Sequence, residues 1–365
     1  MSELDKIKDI IAITTYGRAG SGLMSSLLDG HKNTLSFPDC YLKSFFKFWE
    51  KNKNNKKEDV IKSFFYYYSI YFNPKEPANF LRLENNGTII NKKILNLGLI
   101  NGFSNLGAKE NEKISINKKK FTHDLLKIFK KEYFNRKNFF LAIHLVYTRL
   151  YNSKIKSPYK IIYLLHSPDK SDLAIFLQDF PNAKFIQMIR EPVSSFSSAL
   201  NACIRSGYFK KTILYHYTNF FTKPFIIPAK KILYIKLENL HINPDKNMRA
   251  VCNFAKINYE KSVIKSTFCN KIWHNEKGSK KISGFSKGFI HKRKQNFTKF
   301  DFYRLEFIFR KNVNLFKYNL KREAKKSVFI YMLLLLPFKF ESKIQESYNF
   351  LDYLLYRIRI FRDIL

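Results

Sequence analysis

The chain has 365 residues, 66 of them Lys or Arg and 29 Asp or Glu, which gives a formal net charge of +37. Hydrophobic residues make up 45% and aromatics 17%, too many for wholesale disorder despite that charge, and 12 Gly with 11 Pro exclude collagen-like or Pro/Gly low-complexity chains. The four cysteines, Cys40, Cys203, Cys252 and Cys269, are widely spaced with no C-x-x-C pair, which argues against a disulfide framework or a cysteine zinc site and fits a reducing compartment.

The excess charge has two readings. Abundant Lys, Asn, Ile, Phe and Tyr is the composition that AT-rich coding produces, and much of the charge then coats a solvated surface. The other reading is an anionic partner: a nucleic acid, a membrane surface or a phosphorylated ligand. The opening MSELDKIKD has no apolar stretch ahead of the first motif, so no secretory signal is read there and a cytoplasmic protein is expected. The longest apolar run, VFIYMLLLLPF from Val328 to Phe338, is too short to span a bilayer, which takes about 20 apolar residues.

In chain order, IIAITT at 10–15 reads as a buried parallel strand. The glycine-rich turn GRAGSG follows at 17–22, and Leu23, Met24, Leu27 and Leu28 then mark one face of a helix. KNKNNKKE at 51–58 reads as an exposed loop. Residues 61–150 mix aromatic, helix-like stretches with Asn/Gly-rich connections and give no traceable topology. Strand signals return at 160–165, 184–189 and 231–236, and Met248, Val251, Cys252 and Ala255 predict a helix after the last of these. Strands separated by helical patterns imply an α/β domain with a parallel sheet. Residues 327–365 read as an appended helical tail.

Gly17 and Gly22 have the G-x-x-x-x-G spacing of a nucleotide-binding phosphate loop, but Leu23 and Met24 stand where that motif continues with Lys and Ser/Thr. The missing Lys would hold β/γ-phosphates and the missing hydroxyl would ligate Mg²⁺, so an ordinary Mg²⁺-dependent ATPase or GTPase is not expected. What remains is a cradle of backbone N–H groups at a helix N-terminus with Arg18 as a fixed cation inside the loop. The alternative is a tight strand-to-helix turn that binds nothing.

TTYGRAGSGLMSSLLDGHKN at 14–33 resembles the 5′-phosphosulfate-binding loop of sulfotransferases, in the branch that holds tyrosylprotein, carbohydrate-type and many bacterial members, where it reads approximately P-R-S-G-T-T-L followed by L-L-D-x-H-P. Arg18, Gly20, Leu23, Leu27, Leu28, Asp29 and His31 match; Ala19, Ser21, Gly22 and Lys32 depart from it. PNAKFIQMIREPVSSFSS at 181–198 is similar to the family's 3′-phosphate segment, with Arg190 ending a strand and Ser198 eight positions later. A guanidinium grips a phosphate bidentately and a hydroxyl near a helix start adds a donor. Leu165-His166-Ser167-Pro168, the segment 236–257 and the Ser/Lys-rich stretch 273–289 resemble further family elements in the same order.

The resemblance implies a P-loop-type parallel sheet flanked by helices, with a helical acceptor-binding insert at 41–160 inside a domain spanning 1–326, and a helical C-terminal appendage at 327–365. It implies transfer of a sulfuryl group from 3′-phosphoadenosine 5′-phosphosulfate to a hydroxyl or amine of an acceptor, a carbohydrate among the acceptor classes, with no metal required. Arg18, Ala19, Gly20, Ser21, Gly22, Leu23, Arg190, Ser198, Ser279 and Lys280 are the implied donor-binding residues. Arg18 would also neutralise charge on the leaving phosphate, His166 would support it, and Asp39 falls at the place of the branch's catalytic Glu. His144 is a competing base, and its apolar neighbours equally suit a core histidine. Two other classes stay open: a nucleotide kinase with a degenerate loop, and a non-catalytic basic protein bound to nucleic acid or anionic membrane. No zinc-finger, RNP-type or heptad pattern points to a specific nucleic acid. A glycan, a lipid or a small molecule as acceptor, a homodimer, and peripheral association with the inner face of a membrane are all compatible with the sequence.

Overall fold

The computed structural model describes residues 2–15, 17–38, 42, 44–83, 96, 102–165, 170–206, 228–277, 280–289, 297–318, 328–343, 351, 353–355 and 357–358. Five strands form one parallel sheet: β1 (Ile7–Thr15), β2 (Thr34–Ser36), β3 (Tyr159–Leu164), β4 (Lys184–Ile189) and β5 (Ile232–Lys236), in the order β2-β3-β1-β4-β5. The α/β parallel sheet expected from the strand spacing is therefore present, and the ends of the four expected strands fall no more than three residues from their predicted places. β2 is additional; its three residues, Thr-Leu-Ser, are too few to give a pattern.

β1 lies at the centre and is buried along its last six residues. Its side chains alternate between two cores, as a pleated strand requires. Ile10 and Ala12 face an aromatic-rich core shared with Ile161, Tyr163 and Phe185. Ile11 and Ile13 face an aliphatic core shared with Ile162, Leu164, Ile186 and Met188.

The aliphatic side is covered by α1 (Ser21–Asp29), through Leu23, Met24, Leu27 and Leu28, and by α9 (Pro244–Ala255), through the four positions that predicted it, Met248, Val251, Cys252 and Ala255. The aromatic side is covered by helices from the 41–160 region: α2 (Phe45–Asn52), α3 (Lys57–Tyr68), α4 (Lys118–Ile128) and α5 (Arg136–Tyr151). The stretch 51–58 is not one exposed loop. α2 runs through Asn52 and α3 begins at Lys57, because Phe45, Phe48 and Trp49 on one helix and Val60, Ile61 and Phe64 on the next have core faces to bury. Phe139 of α5 packs against Phe45, Phe48 and Trp49, so this helix forms the wall of the aromatic layer.

Further helices are α6 (Lys170–Asp179), α7 (Pro192–Ser206), α8 (Leu237–Ile242), α10 (Lys299–Ile308), α11 (Arg310–Leu315) and α12 (Val328–Leu335). Short antiparallel pairs β6 (Thr267–Phe268) with β7 (Lys271–Ile272), and β8 (His274–Lys277) with β9 (Lys280–Ser283), occupy the late segment. A third core joins α7 to the C-terminal region: Phe196 and Leu200 pack with Phe297, Leu305, Phe307, Leu334, Phe338 and Phe340.

Candidate functional site

The site grows out of sheet register. β1 and β4 are parallel neighbours with Thr15 opposite Met188, so the chain leaving β1 and the chain leaving β4 emerge side by side. Ligands in open α/β sheets bind at such C-terminal strand ends, where neighbouring connections diverge. Beyond β1 comes the glycine loop; beyond β4 come Arg190 and Glu191.

The loop reverses sharply into α1. Gly17 has φ 84°, Arg18 φ 23° and Gly20 φ 87°. Gly20 is the N-cap of α1, and among the described residues no side chain caps that end. The first intrahelical bond runs from Met24 N–H to Gly20 O, so the N–H groups of Ser21, Gly22 and Leu23 precede the hydrogen-bonded ladder at the positive end of the helix. Gly20 is held from behind as well: a Cβ there would lie 2.4 Å from Leu237 Cδ1. Ala19 and Leu23 are buried in the aliphatic core, while the Arg18 side chain is exposed.

The β4 end supplies the other half. Arg190 Nη1 donates to the Arg18 carbonyl at 3.3 Å, and Ser195 Oγ donates to the Gly17 carbonyl at 3.1 Å. Both bonds tie the Arg190 segment directly to the glycine loop. Ser198 lies one turn beyond Ser195 on the same face of α7 and is half-buried. The N-terminus of α7 is filled by its own preceding residue: the Glu191 carboxylate accepts from Val193 N–H at 3.1 Å and Ser194 N–H at 2.9 Å. Of the two helix ends meeting here, α1 is therefore the one whose amides no side chain caps among the described residues.

Behind Arg190 sits a support that the motif reading missed. Glu238, on α8, accepts from Glu191 N–H at 3.0 Å and from Tyr318 O–H at 2.9 Å. Burial and the adjacent Glu238 charge push the Tyr318 phenol up. The signal was present as the acidic residue of KLENL, whose long-range partner only the fold supplies.

Asp29 and His31, which match the family loop, have structural work. Asp29 is buried and accepts from Ser36 Oγ (2.9 Å), Tyr151 O–H (3.2 Å), Thr267 Oγ1 (3.2 Å) and Asn270 N–H (3.1 Å). Burial raises its pKa against the opposing pull of these donors. His31 Nδ1 accepts from Asn33 N–H, which leaves Nε2–H to donate to the Asn258 carbonyl at 2.9 Å. The pair clamps the end of α1 to the 258–270 segment and so holds the loop's helix in place.

His144 does not open toward the loop. It is buried on α5, with its ring against Phe37, Phe140 and Tyr163. Its Nδ1–H donates to the Phe140 carbonyl at 2.7 Å, and Nε2 has no hydrogen-bond partner among the described residues. Burial pulls its pKa from 6.5 down to about 3. The folded state excludes the proton that the unfolded state takes up below pH 6.5. Stability therefore falls as pH drops from 6.5 toward 3, by about 1.4 kcal/mol per pH unit for one proton. His31, also held neutral by burial, adds to the same trend. Urea unfolding at pH 7 and pH 5 should show His144→Leu losing roughly one proton's share of that slope; an unchanged slope contradicts the buried, neutral assignment.

Asp39, His166 and Ser279 lie outside the described residues. Lys280 begins β9, paired with Lys277; its side chain lies outside them. No group of three or more His, Cys, Asp or Glu able to hold a metal ion occurs among the described residues.

A family model described as the sulfotransferase family matches residues 102–261. That span contains β3, β4, Arg190, α7 and α9, and leaves the glycine loop outside. No curated protein matches the sequence. Similar solved structures include the sulfotransferase domain of the olefin synthase from Synechococcus PCC 7002, at 14% identity and a TM-score of 0.47 over 86% of this chain and 96% of that one. A sulfotransferase domain from the curacin biosynthetic pathway has the same identity and TM-score over 86% of this chain and 99% of its own. Sulfotransferase STF9 from Mycobacterium avium has 12% identity and a TM-score of 0.39 over 86% and 78%. The family match, which spans the strand, arginine and helix of one half of the site, supports placing this chain with the sulfotransferase family, as a sulfotransferase enzyme.

Proposed function

We propose that this sulfotransferase takes its sulfuryl group from 3′-phosphoadenosine 5′-phosphosulfate and passes it to a hydroxyl or amine of an acceptor. The observation that carries this reading is the Arg190 guanidinium hydrogen-bonded to the carbonyl of Arg18, which ties a cation from the end of β4 to the glycine loop beyond β1, where no described side chain caps the N-terminus of α1. The donor bears a phosphosulfate at one end and a separate 3′-phosphate, and it supplies a sulfuryl group activated by a phosphate leaving group.

The residues present suit such a ligand. Amides of Ser21, Gly22 and Leu23 offer N–H donors to a phosphosulfate, and Arg18 adds a charge that strengthens as negative charge collects on the leaving phosphate. Arg190 and Ser198 are assigned to the 3′-phosphate. This keeps the P-loop-type reading of the glycine loop while placing a guanidinium, rather than the Lys-Ser/Thr pair and its Mg²⁺, against the charge. Asp39 is assigned the acceptor's proton, with His166, Ser279 and Lys280 as supporting contacts. His144, enclosed by aromatic rings, is assigned to the core.

Residues 41–160 are assigned the acceptor-binding role, with α5 as the fixed wall and a carbohydrate among the acceptor classes. Four well-separated cysteines, with Cys252 and Cys269 free and buried, support a reducing, cytoplasmic setting.

The test is transfer from donor carrying radiolabelled sulfur to a panel of glycans, lipids and small phenols, followed by mass spectrometry of the labelled product. We expect label on a hydroxyl or amine of at least one acceptor. Phosphoryl transfer from ATP with Mg²⁺, and no sulfuryl transfer to any acceptor, would contradict the proposal.

A further inference from the structure

The C-terminal region carries an apolar surface that the sulfotransferase site does not use. Met332, Leu335 and Leu336 are 62%, 43% and 49% exposed, and Leu351, Leu355 and Ile358 are 65%, 47% and 50% exposed. The last three are each helical and spaced i, i+4, i+7, so they share one face. The opposite face of that stretch is anchored. Arg357 is buried and donates to Tyr353 O–H at 2.8 Å and to the Glu341 carboxylate, and Tyr353 O–H donates to the Leu335 carbonyl at 3.3 Å.

That last bond brings the two exposed aliphatic sets together. α12 is itself pinned by Arg304, a buried side chain that donates to the carbonyls of Leu333 (3.0 Å), Leu336 (2.6 Å) and Pro337 (3.0 Å) and stacks over Phe338. Internal contacts thus hold six aliphatic side chains outward on an ordered base.

We propose that this surface seats the enzyme on a bilayer rich in anionic headgroups. Charge decides between that occupant and a protein one. Residues 280–365 hold 20 Lys and Arg against 7 Asp and Glu, and Lys311, Lys317 and Lys339 of this region are exposed. A second copy of a +37 chain would be repelled. Protein interfaces also deplete lysine at their centres, whereas exposed apolar side chains in a strongly basic region suit the headgroup boundary of an anionic leaflet. Among the described residues no helix is long and apolar enough to cross a membrane, so the contact is interfacial.

The test mixes the full chain with phosphatidylcholine vesicles, and with vesicles carrying about 30 mol% phosphatidylglycerol, and follows flotation at low and high salt. Binding to the anionic vesicles should exceed binding to the neutral ones about tenfold and fall with salt. The double variant Leu351→Asp/Leu355→Asp should lose about tenfold of that binding while keeping its circular dichroism. Leu351→Ser/Leu355→Ser serves where the aspartates disturb folding. Equal binding to both vesicle types, no binding to either, or anionic binding untouched by a folded double variant would overturn the proposal. So would a wild-type dimer in light scattering that the same variant turns into monomer, since that assigns the face to a second copy.

Discussion

Arg18→Ala lowers kcat by about 10²–10³-fold and changes donor KM by less than about tenfold, on the proposed reading of the glycine loop. The asymmetry follows from where the charge is needed. On that reading, backbone amides at the start of α1 would bind a phosphosulfate in ground and transition states alike, and the substitution leaves them in place. The Arg18 guanidinium, in its proposed role, would act most strongly when the S–O bond to phosphate breaks and negative charge grows on the leaving oxygen. The Arg18 side chain is exposed, so its truncation leaves no cavity. Arg18→Lys should recover part of the rate, since it returns the charge without the planar fork. A variant whose kcat is unchanged and whose donor KM alone rises would make Arg18 an anchor.

Arg190→Ala behaves in the opposite way. Its expected effect is a loss of about 10–100-fold in affinity for adenosine 3′,5′-bisphosphate, the range for removing hydrogen bonds to a charged group. The kcat at saturating donor should move much less. Calorimetric titration of wild type and variant with the bisphosphate separates the cases. Unchanged affinity removes Arg190 from the 3′-phosphate site and leaves it a structural tie to the Arg18 carbonyl.

Much of this frame was legible before any coordinates. β1 announces itself as IIAITT because both its faces are buried, and the helix that follows shows its core face in Leu23, Met24, Leu27 and Leu28. β4 ends at Ile189, just before Arg190, where KFIQMIR loses its apolar character. These are local patterns, and local patterns are what a single sequence carries.

What was hidden depends on partners distant in the chain. Asp29 belongs to a loop motif, yet its acceptor oxygens serve Ser36, Tyr151, Thr267 and Asn270, drawn together only by the fold. Glu238 supports the Arg190 turn from 47 residues away. Ser195, within a run of serines, gave no reason to be chosen over its neighbours, and its bond to Gly17 spans 178 positions. β2 is too short for periodicity, and the α2–α3 junction was read as one long loop because KNKNNKKE is polar on its solvent side while the apolar residues that set the helix faces lie outside that window.

The central claim is that two anion-binding segments, one on β1 and one on β4, form a single site for a bisphosphorylated nucleotide. Calorimetric titration of the wild-type chain with adenosine 3′,5′-bisphosphate in excess chelator, beside titration with ATP and Mg²⁺, tests it most directly. The account predicts saturable one-to-one binding of the bisphosphate in the micromolar range, about 8 kcal/mol, and binding of ATP–Mg²⁺ at least about tenfold weaker. Tighter binding of ATP–Mg²⁺, or no heat from the bisphosphate, would contradict it.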